Sequence, residues 1–491
     1  MKLLITLYLP LLPLESLRPS WSEPGAFAVL DQNTVTVMSN EAARTGVRRG
    51  MRAGGVSAIS PTTVMLERTP EKEMLARDAI AMAILQFTPE VTHTDDFSIL
   101  MDVSASLTLF GGPLAICRRI GASIALLGFT AHLAAAPTAM GAWLLARCVR
   151  TRGQPVRRRV ARMKTLEQRL NGLPCDLLPA AAPYRDWLTG IGAHDLSALR
   201  RLPRAGLLRR TSKQLLLELD RAYGQSPEMF DWIKVPLTFS QRMETFDRVE
   251  HADALLHGAT SLILQLVGWL VSLQQAVRIF TFYLEHERGR TAIPPTELEI
   301  TLAEPAWHEG HLIRLLKERL GKVELSAPVI ALRLEAKQLV PMLPPTQSLF
   351  PEPGGSPADF HRLLELLSAR LGPENVLAPT SLHDYRPEVC NAWVPATDKI
   401  PKPSKDDDEL LEDRPYWLLP KPIALLMRNE RPFYGSPLKL IRGPERVEAG
   451  WWNDQVAARD YYVAQGTDAS CYWIYLERTT DARWFLHGLY A

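Results

Sequence analysis

The sequence has few cysteines and no surplus of charge of either sign. Its five cysteines are scattered, form no C-x-x-C pair and are odd in number, so neither a disulfide framework nor a zinc site is expected. The 56 Lys and Arg against 54 Asp and Glu leave a net charge of +2, so a nucleic-acid surface requires local clusters. The 491 residues, 46% hydrophobic and 22% charged, indicate a globular chain of about three domains and exclude wholesale disorder.

Two apolar segments resemble a signal peptide or a membrane-spanning helix, but each lacks a required feature. Pro10 and Pro13 interrupt the N-terminal apolar run, and no small-residue cleavage site follows it. Residues 120–146 have no Asp, Glu, Lys or Arg, but Gly128, His132 and Pro137 divide them, which favours a strand followed by a helix. We expect a soluble, cytoplasmic, nucleoid-associated protein with no membrane partner.

Strands and helices alternate over the first 150 residues. Residues 2–9 form a continuous apolar run, typical of a strand buried on both faces. Residues 26–38 predict a strand pair with a turn at Asp31-Gln32-Asn33, and Ser39 is placed to cap the helix that follows. The pattern predicts an α/β or α+β sheet domain.

Composition then changes along the chain. The stretch 151–169 has seven Lys or Arg residues against one acid, Glu167. Residues 341–358 are rich in Pro and Gly and predict a linker. The last 42 residues hold 10 of the 38 aromatic residues, which is too concentrated for an unstructured tail.

Several motifs in order resemble Y-family translesion DNA polymerases of the UmuC/DinB type. SNEAARTGVRRGM at 39–51 resembles their finger element, and LMDVSASLTLFGG at 100–112 resembles the strand and turn after their catalytic S-I-D-E. GWWNDQVAARDYYV and WFLHGLYA near the C-terminus are similar to the ImuB-like branch. The resemblance implies an α+β multidomain fold: palm and fingers at 1–165 (fingers about 20–75), a helical thumb at 166–232, a little-finger-like domain at 233–340, the linker, and a β-rich partner-binding region at 359–491.

The family's chemistry needs carboxylates that this sequence lacks. Nucleotidyl transfer uses two Mg²⁺ ions held by acids on the first strand and by an Asp-Glu pair on the palm strand. Residues 1–14 contain no Asp or Glu. By the resemblance, the first-strand acids of the family fall on Thr6 and Tyr8, and its Asp-Glu pair falls on Phe97 and Ser98. The finger Tyr and Arg fall on Asn40 and Ala43, and the palm Lys falls near Ala139. We therefore expect no catalytic residues, no metal and no cofactor.

Asp95, Asp96 and Asp102 are the candidates if the acids have moved. A shift of one or two residues would bring Asp95 or Asp96 to the metal position, although a one-residue slip also turns the strand's other face inward. The first strand would still lack an acid. We interpret Asp95 and Asp96 as turn residues and expect a structural role for Asp102. Mg²⁺ is expected only if the chain is an active polymerase with relocated carboxylates.

Two basic clusters flank a predicted helical hairpin at Leu188–Gly192. Such hairpins point backbone N–H groups at phosphates, and neighbouring arginines add counterion release. A solvated helix face is the alternative interpretation. The predicted DNA-backbone contacts are Arg157, Arg158, Arg159, Arg162, Gly190, Gly192, Arg200, Arg201 and Arg204.

The remaining predicted contacts are with proteins. In the linker, Gln347, Leu349 and Phe350 resemble a sliding-clamp peptide one residue shorter than the usual form, with a plain linker as the alternative. The C-terminal aromatics are first of all the core of a β-rich module, and Trp451, Trp452 and Trp484 are candidate partner anchors. The resemblance implies recruitment of a RecA-like accessory protein and an error-prone replicative-type polymerase.

These observations predict a non-catalytic hub of SOS-type DNA repair and mutagenesis. It would link primer–template DNA, the sliding clamp and the polymerase that performs translesion synthesis. The first alternative is an active lesion-bypass polymerase with relocated carboxylates. The second is a DNA-binding protein with neither clamp nor polymerase partner.

Overall fold

The computed structural model describes most of the chain and divides it into two compact units, Met1–Ser356 and Pro357–Ala491. The described residues are 2–94, 96–148, 150–151, 154–155, 157–287, 293–342, 357–382, 384–396, 414–415, 417–452, 456–478 and 482–490. Each unit is described by itself.

The first unit alternates helices and strands before a helical region and a second sheet. Its helices are α1 (Leu12–Glu15), α2 (Asn40–Arg44), α3 (Ala53–Ile59), α4 (Pro70–Ile84), α5 (Pro113–Leu126), α6 (Ala139–Arg147), α7 (Met163–Leu170), α8 (Arg185–Gly190), α9 (Leu196–Arg201), α10 (Arg204–Arg210), α11 (Lys213–Ala222), α12 (Leu256–Ser272) and α13 (Glu309–Leu320). Its strands are β1 (Leu4–Tyr8), β2 (Phe27–Asp31), β3 (Thr34–Met38), β4 (Val64–Glu67), β5 (Val91–His93), β6 (Ser98–Asp102), β7 (His132–Ala136), β8 (Arg150–Thr151), β9 (Gln154–Pro155), β10 (Ser240–Val249), β11 (Gln275–His286), β12 (Thr296–Ala306) and β13 (Val329–Pro341).

The first sheet has the strand order β5-β6-β1-β7. The apolar run of β1 is central because it pairs antiparallel with both β6 and β7. Side chains alternate along a strand, so Ile5 and Leu7 point to one face, where they join a buried core with residues of α4 and α5. The opposite face of β1 carries Thr6 and Tyr8.

A small sheet of order β3-β2-β4 follows β1 along the chain. The predicted hairpin of residues 26–38 is confirmed, and Gln32 and Asn33 at its turn have φ angles of 50° and 65°. The predicted cap is confirmed too, because the Ser39 hydroxyl accepts a hydrogen bond from Ala42 N at 3.2 Å. This holds α2 against the sheet, with Ala42 fully buried.

Residues 163–222 are helical and share a leucine-rich core. Leu166 on α7, Leu199 on α9 and Leu215 on α11 are buried there, together with Leu145 on α6. This core joins the helical region directly to the helix that follows β7.

The second sheet has the order β10-β13-β11-β12, and α12 packs against it and against α4. Gly268 allows the close approach, since a Cβ there would lie 1.9 Å from the Met82 carbonyl oxygen. The segment Ala252–Ser272 is long and apolar enough to cross a membrane, but 78% of its most apolar window is buried inside the protein. It therefore packs as a core helix.

The second unit contains one helix and mostly antiparallel strands. They are α14 (Pro357–Leu371), β14 (Leu377–Ser381), β15 (Asn391–Pro395), β16 (Trp417–Ala424), β17 (Leu426–Arg428), β18 (Arg431–Tyr434), β19 (Ser436–Pro437), β20 (Lys439–Ala449), β21 (Ala457–Gln465), β22 (Cys471–Glu477) and β23 (Trp484–Leu489). A five-stranded sheet has the order β16-β23-β22-β21-β20.

The predicted α+β multidomain class is confirmed, including the β-rich region at the C-terminal end. Strands β22 and β23 of this region pair antiparallel, with Tyr472 opposite Leu489. Strand β13 ends at Pro341 and α14 begins at Pro357, which are the two ends of the predicted linker. The thumb-like and little-finger-like names stay predictions.

Candidate functional site

The face of the first sheet opposite α4 and α5 is the place where the resemblance puts catalytic acids. The register pairs Leu4 with Asp102, Thr6 with Leu100, and Tyr8 with Ser98 across β1 and β6. Because partners in an antiparallel ladder share a face, these six side chains form one surface.

The predicted acid positions on this surface carry no carboxylate. Thr6 and Ser98 are fully buried, and neither hydroxyl has a hydrogen-bond partner among the described residues. Phe97 precedes β6 with a φ of 24°, and its carbonyl accepts a hydrogen bond from Leu9 N at 2.9 Å. Phe97 packs against the core on the face covered by α4 and α5, so the predicted positions on this surface present the two aliphatic hydroxyls and the Tyr8 phenol.

Asp96 is a carboxylate next to this surface, and it is part of an ion pair. It bonds to the Arg147 guanidinium and accepts a hydrogen bond from Trp143 Nε1 at 3.2 Å. The same guanidinium carbon lies 4.3 Å from the Tyr8 ring centroid and 4.2 Å from that of Trp143. This packing fits the predicted turn role of Asp96.

Asp102 ends β6 and supports the turn after it. Its Oδ1 accepts hydrogen bonds from the backbone N–H of Ser104, at 2.9 Å, and from the Ser104 hydroxyl. The Ser104 hydroxyl also accepts from Leu3 N at 2.9 Å, so the carboxylate helps to fix β1 to the end of β6. Asp95 lies outside the described residues.

The residues on this face do not fit a pair of Mg²⁺ ions. Mg²⁺ requires oxygen ligands in octahedral geometry and is bound in proteins chiefly through carboxylates. Asp96 is neutralised by Arg147, and Asp102 is turned toward Ser104. No group of three or more His, Cys, Asp or Glu side chains converges anywhere in the part of the chain that was described.

The N-terminus of α6 opens onto the same face and is filled by a carboxylate of the chain itself. Glu228 accepts hydrogen bonds from Ala139 N at 2.9 Å and from Met140 N at 2.8 Å. Thr138 supplies the side-chain cap by accepting from Gly141 N at 3.2 Å. Burial raises the pKa of Glu228, while the two backbone hydrogen bonds lower it. A helix N-terminus favours anions, and here the anion is internal.

The residues after Glu228 lie across the sheet surface. Phe230 packs against Leu4, Leu100 and Ala139. Further along, Asp231 O accepts a hydrogen bond from the Thr92 hydroxyl at 2.8 Å. A cavity of about 480 Å³ remains beside this segment, lined in part by Phe230 and Glu228.

In the small sheet domain, the structure places the predicted phosphate positions on α2. Asn40 and Ala43 are exposed there, and neither can supply the phenol or the guanidinium of the family. An arginine cluster lies beside them and was not predicted from the sequence. The available signal was four arginines within the nine residues 44–52. Arg44, Arg48, Arg49 and Arg52 are all exposed, and none forms an ion pair with a described residue.

The predicted DNA-contacting hairpin is formed by α8 and α9. Gly190 ends α8, and Gly192 follows with a φ of 73°, which favours glycine. Both glycines are exposed, with open space around them. The N–H groups of Ile191, Gly192 and Ala193 already donate to carbonyl oxygens of α8, at 3.1, 3.0 and 2.9 Å, so the hairpin offers an exposed turn and not free N–H donors.

The predicted arginines are on two different elements. Residues 157–162 run beside β7, where Ala135 N donates to Arg158 O at 2.8 Å. Arg157, Arg159 and Arg162 are exposed, and Arg158 is half-buried. Burial lowers the pKa of Arg158.

The second group lies on α9 and α10, and ion pairs reduce its charge. Arg200 pairs with Glu167, and Arg204 forms two hydrogen bonds with Asp220, at 2.8 and 2.6 Å. Arg201 is exposed and makes no ion pair with a described residue. Arg201 is thus the most available cation of the three.

The predicted protein-contact residues have different surroundings. Gln347, Leu349 and Phe350 of the clamp peptide lie outside the described residues. Trp451 and Trp452 are exposed, at 75% and 56%.

Trp484 packs differently from the two exposed tryptophans. It lies on β23, is half-buried and packs against Tyr462, with ring centroids 5.3 Å apart. Trp484 is therefore a packing residue at least in part.

A buried aromatic cluster in the same module was not singled out from the sequence. Tyr461 stacks on Trp473 with centroids 4.1 Å apart, and its hydroxyl is hydrogen-bonded to His487 Nδ1 at 2.8 Å. Burial raises the pKa of Tyr461 and lowers that of His487. Both groups are therefore neutral core members, and the alternating aromatic pattern of the last strands was the available signal.

Comparison with known proteins fits this geometry. The family described as "IMS: impB/mucB/samB family" matches residues 16–147. The proteins named ImuB from two strains of Caulobacter vibrioides are each 25% identical over 471 residues, covering 91% of this chain and 100% of the relative. The predicted resemblance to ImuB-like proteins is confirmed. The family match begins after β1, so Thr6 and Tyr8 on the first strand lie outside the matched residues.

Solved structures similar to this chain include two that involve Dbh, a ternary complex and a polymerase chimera. A ternary complex of Dbh has a TM-score of 0.38 at 14% identity and covers 69% of this chain and 100% of its own. A Y-family DNA polymerase chimera built on Dbh has a TM-score of 0.39 at 15% identity, with coverage of 69% and 99%.

Proposed function

We propose that this chain is a non-catalytic homologue of Y-family polymerases that acts as an adaptor in DNA-damage-induced mutagenesis. The observation that carries the proposal is the surface formed by β1 and β6. It presents Thr6, Tyr8 and Ser98 where the chemistry requires carboxylates. Glu228 fills the anion position at the start of α6. Together these features support the loss of the metal ligands and of a free anion position at the start of α6.

The adaptor would also bind DNA. The exposed hairpin between α8 and α9 and the free guanidinium of Arg201 suit contact with a phosphate backbone. Such contacts would hold primer–template DNA independently of its sequence and would weaken as salt rises.

The adaptor role also requires protein partners. Gln347, Leu349 and Phe350 would retain the chain on the sliding clamp, with Leu and Phe entering an apolar pocket. The exposed pair Trp451 and Trp452 would contribute to recruiting an error-prone replicative-type polymerase and a RecA-like accessory protein. Assembly on DNA would place the complex in the cytoplasm at the nucleoid.

The alternative function is an active lesion-bypass polymerase with relocated carboxylates. It would require Asp96 to leave Arg147 and Trp143, and Asp102 to leave Ser104. Each change exposes an unpaired charge or polar group near the sheet. The second alternative, DNA binding with no protein partner, predicts that Leu349→Ala with Phe350→Ala leaves retention by the clamp unchanged.

The test is primer extension by the purified full-length chain with Mg²⁺ or Mn²⁺ and all four dNTPs, alongside a gel shift on the same DNA. We expect binding without extension. Extension above a protein-free control that is lost in Asp96→Ala would overturn the proposal and establish a polymerase. Extension that persists when Asp95, Asp96 and Asp102 are all changed to Ala comes from a contaminating polymerase, and it should disappear on repurification.

A further inference from the structure

An exposed hairpin in the second unit combines arginines with apolar side chains on one face. Strands β17 and β18 pair so that Leu426 lies opposite Phe433 and Arg428 opposite Arg431. The two-residue alternation of strands puts these four side chains on the same face. Leu426 is 65% exposed, and the Arg428 guanidinium carbon lies 4.2 Å from the Phe433 ring centroid. These four residues are called the hairpin surface below.

The hairpin is held in place by its turn and by the core of the module. Asn429 and Glu430 form a two-residue turn with φ angles of 48° and 61°, which matches the natural twist of paired strands. Pro432 is buried, and its carbonyl accepts a hydrogen bond from the N–H of Leu438 at 2.8 Å. Leu438 itself is buried in the core beside β21 and β22. The hairpin surface is therefore presented on a fixed support.

The charges around the hairpin surface are mostly positive. Residues 417–442 contain five basic residues and one acid: Lys421, Arg428, Arg431, Lys439 and Arg442 against Glu430. Elsewhere in the module, arginines are paired, for instance Arg446 with Asp460 and Arg478 with Glu448. Arg428 and Arg431 form no ion pair with any residue that the structure describes. Their charge is available to an acidic partner.

The exposed apolar side chains near the hairpin distinguish a protein partner from a nucleic acid. Five of them are aliphatic: Ile423, Leu426, Met427, Leu440 and Ile441, each at least 41% exposed. Single-stranded nucleic acid is bound through open aromatic rings on which bases stack. Phe433 is instead covered by Arg428. Tyr434, which is 40% exposed, points to the other face of the hairpin and packs edge-on against Tyr472 with ring centroids 5.5 Å apart. Clustered aliphatic surface beside arginine is typical of protein interfaces.

We infer that the hairpin surface binds an acidic segment with aliphatic side chains on a partner protein. Carboxylates of that segment would pair with Arg428 and Arg431, and its aliphatic side chains would pack on Leu426. The inference rests on the proposed recruiting role and adds the chemistry of the recruited segment.

The experiment measures fluorescence anisotropy of a labelled synthetic peptide, DDDELLED, titrated with the full-length chain. The peptide has the sequence of residues 406–413, which is a segment of this chemistry within the chain. We expect saturable binding that is about tenfold weaker with Arg428→Ser and Arg431→Ser combined, and also with Leu426→Ser. Arg209→Ser with Arg210→Ser removes the same charge from exposed positions of α10 and should leave peptide binding unchanged.

Three further measurements separate the outcomes. The peptide DDDESSED should bind the wild-type chain about tenfold more weakly, which tests the aliphatic contact even if a chain variant misfolds. A labelled oligo-dT strand is titrated with the same chains. If the hairpin variants lose binding to oligo-dT but bind the peptide as the wild type does, the surface binds nucleic acid and the inference is overturned. Peptide binding seen only after residues 406–413 are replaced by Gly and Ser would assign the surface to the chain's own acidic run, and also overturns it. Absence of peptide binding to every chain refutes this inference, whereas primer extension and clamp retention remain separate tests of the proposed function.

Discussion

Glu228 accepts a hydrogen bond from the backbone N–H of Ala139 at 2.9 Å, across 89 residues of chain. The contact fastens the segment that follows α11 to the start of α6 and lets Phe230 cover the sheet surface. A helix end that would otherwise attract an external phosphate is thereby satisfied from within. The surface therefore packs against another segment of the chain.

Replacing Glu228 should therefore destabilise the chain. Glu228→Ala leaves the N–H groups of Ala139 and Met140 without their acceptor, and we expect a loss of roughly 1–3 kcal/mol in the free energy of unfolding. Urea unfolding followed by tryptophan fluorescence measures it. Glu228→Gln keeps one acceptor oxygen and should lose less; equal losses for both variants would mean that packing, not capping, is the contribution.

Thr6 and Thr138 are both buried threonines, and comparing them tests whether the Thr6 hydroxyl contributes to stability. The buried Thr6 hydroxyl has no partner among the described residues, so Thr6→Val should change stability by less than about 1 kcal/mol. The Thr138 hydroxyl donates to Ala222 O at 3.0 Å and accepts from Gly141 N, so Thr138→Val should cost about 1–2 kcal/mol. Thermal unfolding in parallel compares them. A large loss for Thr6→Val, or a loss of DNA binding, contradicts the packing role of Thr6.

The sequence predicted this site through local pattern and missed its long-range part. The continuous apolar run of β1 was enough to predict a buried strand, and the family motifs were enough to match Thr6, Tyr8 and Ser98 with the acid positions. The strand register then brings these three residues onto one surface. Nothing local to Glu228 indicates its contact with α6. Likewise, the ion pairs of Arg200 and Arg204 join residues 33 and 16 positions apart, so a basic cluster in the sequence overstated the free positive charge.

Gly268 should be irreplaceable at the contact between α12 and α4. A Cβ at this position would lie 1.9 Å from the Met82 carbonyl oxygen, so Gly268→Ala forces the helices apart and should cost more than about 2 kcal/mol. Gly258→Ala on the same helix is the control, because its Cβ would meet side-chain ends and no backbone, Met243 Cε at 2.4 Å and Leu332 Cδ1 at 3.1 Å. Chemical unfolding should show a small effect there, and equal effects at both positions would contradict the close packing.

Glu15 should make stability depend on pH. It is buried and bonds to Thr130 through the backbone N–H at 2.8 Å and the hydroxyl at 2.6 Å, and burial raises its pKa above the ordinary value of 4.5. A raised folded-state pKa gives stability that is complete below about 4.5 and is lost as pH rises through the folded value. The difference in unfolding free energy between wild type and Glu15→Gln should therefore fall between pH 4.5 and neutrality. Urea titrations at several pH values measure it, and a difference that stays constant or rises with pH contradicts the assignment.

DNA binding should respond to the ion pairs of the helical region. Arg201 has no ion-pair partner in the described structure, so Arg201→Ala should weaken binding and reduce the slope of log K against log salt by about 0.9. Arg204 is held by Asp220, so Asp220→Asn should free a cation and tighten binding.

Gel shifts at a series of salt concentrations measure both effects. Arg118→Ala removes an exposed arginine from α5, which covers the opposite face of the first sheet, and should leave the slope unchanged. If Arg118→Ala and Arg201→Ala weaken binding equally, overall charge rather than this helical surface attracts the DNA. If Asp220→Asn fails to tighten binding while Arg201→Ala weakens it, the contact is confined to α9 and does not extend to α10.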